Sequence, residues 1–258
     1  VVMGEDGKPV LALMMNKLQP GCVTPVSEGM EVRTGTDKVH FAQRGQLEFL
    51  LSSHPLDCPV CDKGGECPLQ NLTMQFGPST SRFDYSDKIH FEKPVPLGDL
   101  IFLDRERCIL CSRCVRFQDD IAGDQVLGFD NRGRSWEIIS KSDPAFDSKF
   151  SGNTTDICPV GALTSADFRF KARAWEVRPT AGICAHCSVG CNLSLDMRHE
   201  KLMRVMPREN DYVNEIWICD KGRFGMRHID SADRLSQPMI RKNGTLAPAT
   251  WDEAIGLV

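Results

Sequence analysis

Eleven of the twelve cysteines, together with one histidine, fall into three groups whose spacing suits metal chemistry. The first group reads H-x3-C-x2-C-x5-C and consists of His54, Cys58, Cys61 and Cys67. The second reads C-x2-C-x2-C with a distant Cys-Pro pair and consists of Cys108, Cys111, Cys114 and Cys158. The third reads C-x2-C-x3-C with a distant cysteine and consists of Cys184, Cys187, Cys191 and Cys219. Thiolate and imidazole ligands suit zinc and iron–sulfur clusters.

Disulfide bonds, structural zinc and iron–sulfur clusters compete as explanations of these groups. Disulfides fit least, because a chain of 258 residues is larger than the small secreted scaffolds that depend on them, and we see no secretory leader. Structural zinc prefers two separated pairs of ligands. The second and third groups instead place three thiolates close together and a fourth far away, as a cubane requires. The second follows the bacterial ferredoxin pattern, whereas the third is less diagnostic by itself and the first is the least diagnostic.

The fourth ligand of the first group is ambiguous from spacing. His54 follows an amphipathic stretch, where a lone histidine is more often a capping or core residue than a ligand. Cys22 stands alone upstream and could supply a thiolate instead. Spacing does not decide between them.

Four arginines crowd the second triplet of cysteines, namely Arg105, Arg107, Arg113 and Arg116. If they faced a cluster, they would favour its reduced, more negative state. The alternative is a solvated cationic face balanced by acidic neighbours, which we prefer for any single arginine.

Composition excludes two classes of function. A net charge of −4 and a pI near 5.9 argue against broad nucleic-acid binding, which needs a basic surface. The longest apolar runs, such as residues 10–15, are far shorter than the ~18 residues that cross a bilayer. With 41% hydrophobic residues, the chain is expected to form a globular protein with a true core.

Composition shifts predict four segments, at residues 1–40, 41–80, 95–170 and 178–235. The first alternates apolar stretches with turn residues, which predicts strands. The chain begins without methionine and stops just inside a helix start at Thr250, so we expect a piece of a longer polypeptide.

Local patterns predict the elements that position the cysteines. Leu47, Leu50 and Leu51 share a helix face that ends by Pro55, and a second short helix ends at Gly77. In the fourth segment, alternating apolar residues on both sides of His199-Glu200 predict a hairpin.

Three stretches resemble cluster signatures of one known family. Residues 54–70 read HPLDCPVCDKGGECPLQ, which resembles a signature of one histidine and three cysteines. Residues 104–116 with CPVGAL at 158–163, and residues 184–191 with CDKGR at 219–223, continue the series in order. The chain is therefore similar to the large iron–sulfur subunit (the G subunit) of NADH–quinone oxidoreductase, which is respiratory complex I. This resemblance covers nearly the whole chain.

The resemblance implies three [4Fe–4S] clusters, one in each group, with His54 as an unusual ligand of the first. The third cluster occurs in some bacterial relatives and is lost from mitochondrial ones. Cys22 resembles the last ligand of the family's [2Fe–2S] cluster, which could form only if upstream ligands are present. The function implied is one-electron transfer, with no catalytic residue in this chain.

The implied fold class is α+β, a series of small iron–sulfur domains. In order these are the end of a β-grasp [2Fe–2S] domain, a helical histidine-plus-three-cysteine module, a ferredoxin-like module, a molybdopterin-oxidoreductase-type [4Fe–4S] domain and, at residues 236–258, the start of a large domain. The implied partners are other peripheral-arm subunits of complex I, including the flavin- and NADH-binding subunit, with no nucleic acid and no direct membrane span. The implied location is cytoplasmic, at the inner face of the bacterial plasma membrane.

Two other interpretations remain open at this point. The chain could be the cluster-bearing part of an NAD-linked, molybdopterin-dependent formate dehydrogenase. Such proteins, like iron–iron hydrogenases, usually carry a doubled ferredoxin with eight cysteines, whereas residues 95–170 contain four. The other is a zinc-stapled interaction module, in which the same cysteines are purely structural.

Overall fold

The computed structural model describes residues 17–258 and, before them, only the backbone of two paired strands, β1 (Val2–Met3) and β2 (Pro9–Val10). The strands expected in residues 1–40 therefore fall largely outside the described residues. From residue 17 to residue 36 the chain forms turns, bends and segments without regular secondary structure, so the prediction of strands is wrong there. Two prolines and three glycines in this stretch explain the difference, because both residue types weaken strand pairing.

The first long element is helix α1 (Asp37–Leu51). The Thr36 hydroxyl caps it by accepting a hydrogen bond from Val39 N at 3.3 Å. Leu47 is buried in the core and Leu51 packs against it, as the helical spacing predicts, while Leu50 stays 39% exposed. The helix begins four residues before the predicted segment does and ends four residues before Pro55.

Helix α2 (Pro68–Phe76) packs against α1. Proline occupies its first position, where a missing N–H costs nothing, and Gly77 follows its last residue as predicted. Leu69 is the buried residue of the helix.

The central part of the chain combines a three-stranded sheet, a hairpin and two short helices. Its elements are β3 (Val95–Pro96), β4 (Ile101–Leu103), α3 (Arg113–Arg116), β5 (Leu127–Asp130), β6 (Glu137–Ser140), α4 (Asn153–Ile157) and β7 (Leu163–Ser165). The sheet has the antiparallel order β3-β4-β7, and β5 pairs with β6. Ile101, Leu103 and Leu127 are completely buried or nearly so, and the same core contains Cys67, Cys114 and Cys158.

A second core lies in the following antiparallel sheet. Its elements are β8 (Arg178–Ile183), β9 (Asn192–Arg198), β10 (Lys201–Pro207) and helix α5 (Asp220–Phe224), with strand order β10-β9-β8. The predicted hairpin is confirmed: His199 and Glu200 connect β9 to β10, and both have positive φ values, 48° and 63°. Such values match a tight turn that follows the twist of the strands. Leu193, Val205 and Ile218 fill this core.

The chain closes with a hairpin and a short helix, β11 (Met239–Lys242), β12 (Thr245–Pro248) and α6 (Trp251–Ile255). Thr250 caps α6, because its hydroxyl accepts from Glu253 N at 3.2 Å. The chain thus mixes helices and antiparallel sheets, in agreement with the α+β expectation. No helix in the described residues is both long and apolar enough to cross a membrane.

Candidate metal centres

The first site is built around a tight turn that spaces its cysteines. Residues Cys58–Val60 form one turn of 3-10 helix, and Cys61 N donates to Cys58 O at 3.4 Å. Cys67 caps the start of α2, with Gln70 N donating to its Sγ at 3.5 Å. Burial raises the pKa of Cys61; the positive charge of Arg107 and a hydrogen bond from the Lys63 backbone oppose this rise, and the nearby thiolates of Cys67 and Cys58 add to it. The structure therefore groups these three cysteines at one place.

His54 presents a ring nitrogen without a protein partner. Its Nδ1 atom is buried and makes no hydrogen bond. Burial lowers the pKa of His54 to about 4, and the positive charges of Arg107 and Lys88 act in the same direction. A neutral imidazole with a free nitrogen is what metal ligation requires. The rival residue, Cys22, lies on an exposed turn outside the core that contains Cys67.

The second site is an apolar cavity lined by four cysteines. The cavity is small, about 20 Å³ in volume, and all members of the group Cys108, Cys111, Cys114 and Cys158 line it. Its other walls are mostly apolar side chains, including Leu103, Ile138, Val160 and Leu163. Burial raises the pKa of Cys108 and of Cys114 to about 12. A cationic iron core would reverse this effect, because bound metal deprotonates a coordinating thiol.

The first and second sites touch each other through one loop. A Cβ atom added to Gly161 would lie 2.1 Å from Cys61 Sγ, so only glycine fits there. Cys67 Sγ also lies 3.5 Å from Pro159 O. The residues that follow Cys158 thus contact two sulfurs of the first site.

The third site surrounds the start of β9 and of α5. Cys184 N donates to Cys191 O at 2.8 Å, which closes the loop between them. Cys219 caps α5, with Gly222 N donating to its Sγ at 3.4 Å. A Cβ atom on Gly222 would lie 3.4 Å from Cys184 Sγ, so the backbone runs close to both sulfurs. Cys187 is the exposed member of this group.

A buried polar network joins the third site to the second. Asp220 accepts hydrogen bonds from Ser151 N at 3.0 Å, Ser151 Oγ at 2.6 Å and Gly152 N at 2.7 Å. Asn153 exchanges two hydrogen bonds with the backbone of Ile218. The helix α4, which leads into Cys158, is therefore fixed to the segment that carries Cys219. Spacing could not predict these contacts, which join residues more than 60 positions apart.

The four arginines near the second triplet of cysteines differ in their surroundings. Arg113 and Arg116 are exposed, as we preferred, and Arg105 pairs with Glu137. Arg107 is buried and pairs with Asp57 at 2.9 Å and Asp104 at 3.2 Å.

The preferred interpretation is wrong for Arg107, because this side chain is buried near Cys61 and not solvated. Burial acts to lower the pKa of Arg107, but the Cys61 thiolate and neighbouring carboxylates outweigh it and raise that pKa. Arg107 therefore supplies buried positive charge beside Cys61.

The cysteine groups of the described residues do not match the geometry of a site for a single metal ion. Among residues 17–258, no three histidine, cysteine or acidic side chains are arranged to hold one metal ion. The buried, unpartnered Nδ1 of His54 and the cavity lined by four cysteines nevertheless fit ligation of a larger group.

Comparisons with known proteins place this chain in one family. Three family models match: an NADH–ubiquinone oxidoreductase-G iron–sulfur binding region at residues 43–82, an NADH–quinone oxidoreductase subunit 3 ferredoxin-like domain at 98–164, and an NDSU1/NuoG-like 4Fe–4S domain at 177–227. The chain is 46% identical over 271 residues to NADH-quinone oxidoreductase subunit 3 of Thermus thermophilus, which covers 97% of the chain and 34% of the relative. The chain belongs to the family of large iron–sulfur subunits of NADH–quinone oxidoreductases.

Other matches agree with membership of this family. The NADH–quinone oxidoreductase G subunit of Streptomyces coelicolor is 48% identical over 242 residues, covering 93% of the chain and 29% of the relative. The chain spans about a third of the length of these curated relatives. An NAD+-reducing [NiFe]-hydrogenase in its H2-reduced state is similar in structure, with a TM-score of 0.53 and 29% identity, covering 60% of this chain and 66% of the other.

Proposed function

We propose that this chain transfers electrons, one at a time, as part of an NADH–quinone oxidoreductase. One observation carries the proposal: four cysteines line a single apolar cavity, and the loop after Cys158 contacts two sulfurs of the neighbouring site. Bound clusters would supply reversible one-electron exchange without substrate chemistry. Family membership supports the same function.

The ligands that we assign are the three groups of the sequence. The first [4Fe–4S] cluster is held by His54, Cys58, Cys61 and Cys67. The second is held by Cys108, Cys111, Cys114 and Cys158. The third is held by Cys184, Cys187, Cys191 and Cys219. Cys22 is assigned to a [2Fe–2S] cluster only where upstream ligands complete it.

The residues around each site would control its reduction potential. The apolar walls of the second cavity exclude water, which disfavours added negative charge. Arg107 favours electron uptake at the first site through its positive charge. A neutral His54 ligand raises the potential relative to four thiolates, as imidazole ligation does in Rieske centres.

Membership of the family supports a proposal for the wider setting. We assign the flavin- and NADH-binding subunit as electron donor, other peripheral-arm subunits as neighbours, and quinone as the eventual acceptor. The same assignment places the chain on the cytoplasmic side, at the inner face of the bacterial plasma membrane. We also propose the series of domains that the sequence predicts, in which the third site lies in a [4Fe–4S] domain of the molybdopterin-oxidoreductase type.

A stepwise reductive titration tests electron transfer directly. Anaerobically purified protein is titrated with a one-electron reductant while its visible absorbance and EPR spectrum are recorded. The proposal predicts uptake of about three electrons per chain, one for each cluster. A protein that binds zinc and has no reducible absorbance would support the alternative of a zinc-stapled interaction module. Pterin bound to the full-length protein would support the alternative of a molybdopterin-dependent formate dehydrogenase.

A further inference from the structure

The segment that follows the second site crosses over the first site. We call residues 168–176 the strap; they lie between the matched family regions 98–164 and 177–227. Phe168 and Ala172 anchor the strap by burying their side chains. Phe170 N donates to Asp62 Oδ1 at 2.9 Å, and the Trp175 ring covers Gly65, where a Cβ atom would lie 2.6 Å from the ring. The strap thus runs along the loop between Cys61 and Cys67.

Arg173 is the strap residue that reaches the cysteine turn itself. Its Nη1 donates to Cys61 O at 2.8 Å, and its Nη2 donates to Pro59 O. The guanidinium is a rigid fork of donors, so it fixes two acceptors at a set separation, which a lysine ammonium does not. Both carbonyls belong to the turn that spaces Cys58 from Cys61.

The guanidinium of Arg173 donates its hydrogen bonds to carbonyl oxygens of the ligand turn. Among residues 17–258, no ion pair within 4.0 Å involves its guanidinium. A charged donor forms a stronger hydrogen bond to a carbonyl oxygen than a neutral donor does. Arg173 therefore combines a positional role with a positive charge beside the first site, and this charge also acts on the Asp62 carboxylate.

The strap is itself held by the third module. Arg173 N donates to Glu176 Oε2 at 2.8 Å, and Arg198 on β9 binds Glu176 Oε1 at 3.2 Å and Lys171 O at 3.0 Å. The position of the guanidinium is therefore set from outside the loop that it binds.

We propose that Arg173 is a positioning residue of the first site, which holds the Cys58–Cys61 turn in the geometry that retains the cluster. This inference rests on the proposed function. The conservative variant Arg173→Lys keeps the positive charge but loses the forked pair of guanidinium donors. Arg173→Gln loses both the charge and the forked donors. Arg178→Gln, an exposed arginine at the start of β8, is the matched control.

The test follows each cluster separately in the purified protein. The EPR signal of the first cluster is identified as the one that changes in His54→Cys, and its decay is timed after a ferrous chelator is added. We expect Arg173→Gln to speed loss of this signal about tenfold or more, the factor for a lost charged hydrogen bond, with the other signals decaying as in the wild type. Arg173→Lys should decay at an intermediate rate with an altered line shape.

Two results would overturn the inference. One is an Arg173→Gln protein in which the EPR signal of the first cluster has the wild-type line shape and decay rate. The other is equal acceleration of all three signals, because general unfolding would then explain the loss. If Arg173→Gln does not accumulate, Arg173→Lys decides by the same criteria. A wild-type protein without clusters would refute the proposed function instead, so the two failures are distinguishable.

Discussion

Replacing Arg107 with glutamine should lower the reduction potential of the first cluster. A Cβ atom on Gly161 would lie 2.1 Å from Cys61 Sγ and 3.7 Å from Arg107 Cδ, so these two atoms lie within about 6 Å of each other. The guanidinium is buried, so solvent screens it weakly. Removing it takes one positive charge from the immediate surroundings of a ligand sulfur.

The size of the effect follows from Coulomb's law. A unit charge about 8 Å from the sulfur, at an effective dielectric constant of about 20, is worth about 2 kcal/mol. For a one-electron couple this corresponds to a fall of about 90 mV. Loss of the charge leaves Asp57 and Asp104 without this partner, which acts in the same direction.

The assay is an EPR-monitored redox titration of the purified protein. Arg107→Lys keeps the charge and should shift the potential by much less than Arg107→Gln. Arg113→Gln removes an exposed arginine beside the second triplet and serves as the control. An unchanged potential of the first cluster in Arg107→Gln would refute the assignment of this charge to the first site.

Three further outcomes are expected. Gly161→Ala should displace Cys61 Sγ, lower the free energy of unfolding by about 1–3 kcal/mol through overpacking and abolish the EPR signal of the first cluster. The control Gly35→Ala, whose added Cβ meets open space, should keep that signal. Burial holds the pKa of His54 at about 4 in the folded protein, whereas its ordinary value is near 6.5. Between pH 6.5 and about pH 4 the unfolded chain therefore binds a proton that the folded protein does not bind. The cluster-free protein should therefore lose up to about 3 kcal/mol of stability as the pH falls through that range, measured by urea unfolding, and His54→Gln should remove this slope. Asp220→Ala should lower the free energy of unfolding by about 3 kcal/mol, because it leaves three buried donors without an acceptor; an unchanged unfolding midpoint would contradict that network.

Sequence spacing predicted those features that depend on local periodicity. The hairpin at His199-Glu200 followed from alternating apolar residues, and α2 followed from its apolar face and the glycine after it. Both are decided within about a dozen residues, where local pattern dominates. The absence of strands between residues 17 and 36 shows the opposite case, since apolar alternation there is interrupted by proline and glycine.

Contacts between distant parts of the chain could not be predicted in this way. Arg173 binds a turn more than a hundred positions upstream, and Asp220 binds a loop 69 positions upstream. Such pairs depend on how the modules pack, which no local period encodes. Gly161 carried a weak signal, because a glycine three residues after a candidate ligand often marks a close approach of backbone.

Chemical analysis of iron and acid-labile sulfide tests the central claim most directly. Protein purified without oxygen should contain about twelve iron atoms and about twelve sulfides per chain, four of each for every cubane. The sum should fall by about a third when Cys184 and Cys219 are both replaced with alanine. Zinc in place of iron, with no labile sulfide, would contradict the assignment of the three sites as electron carriers.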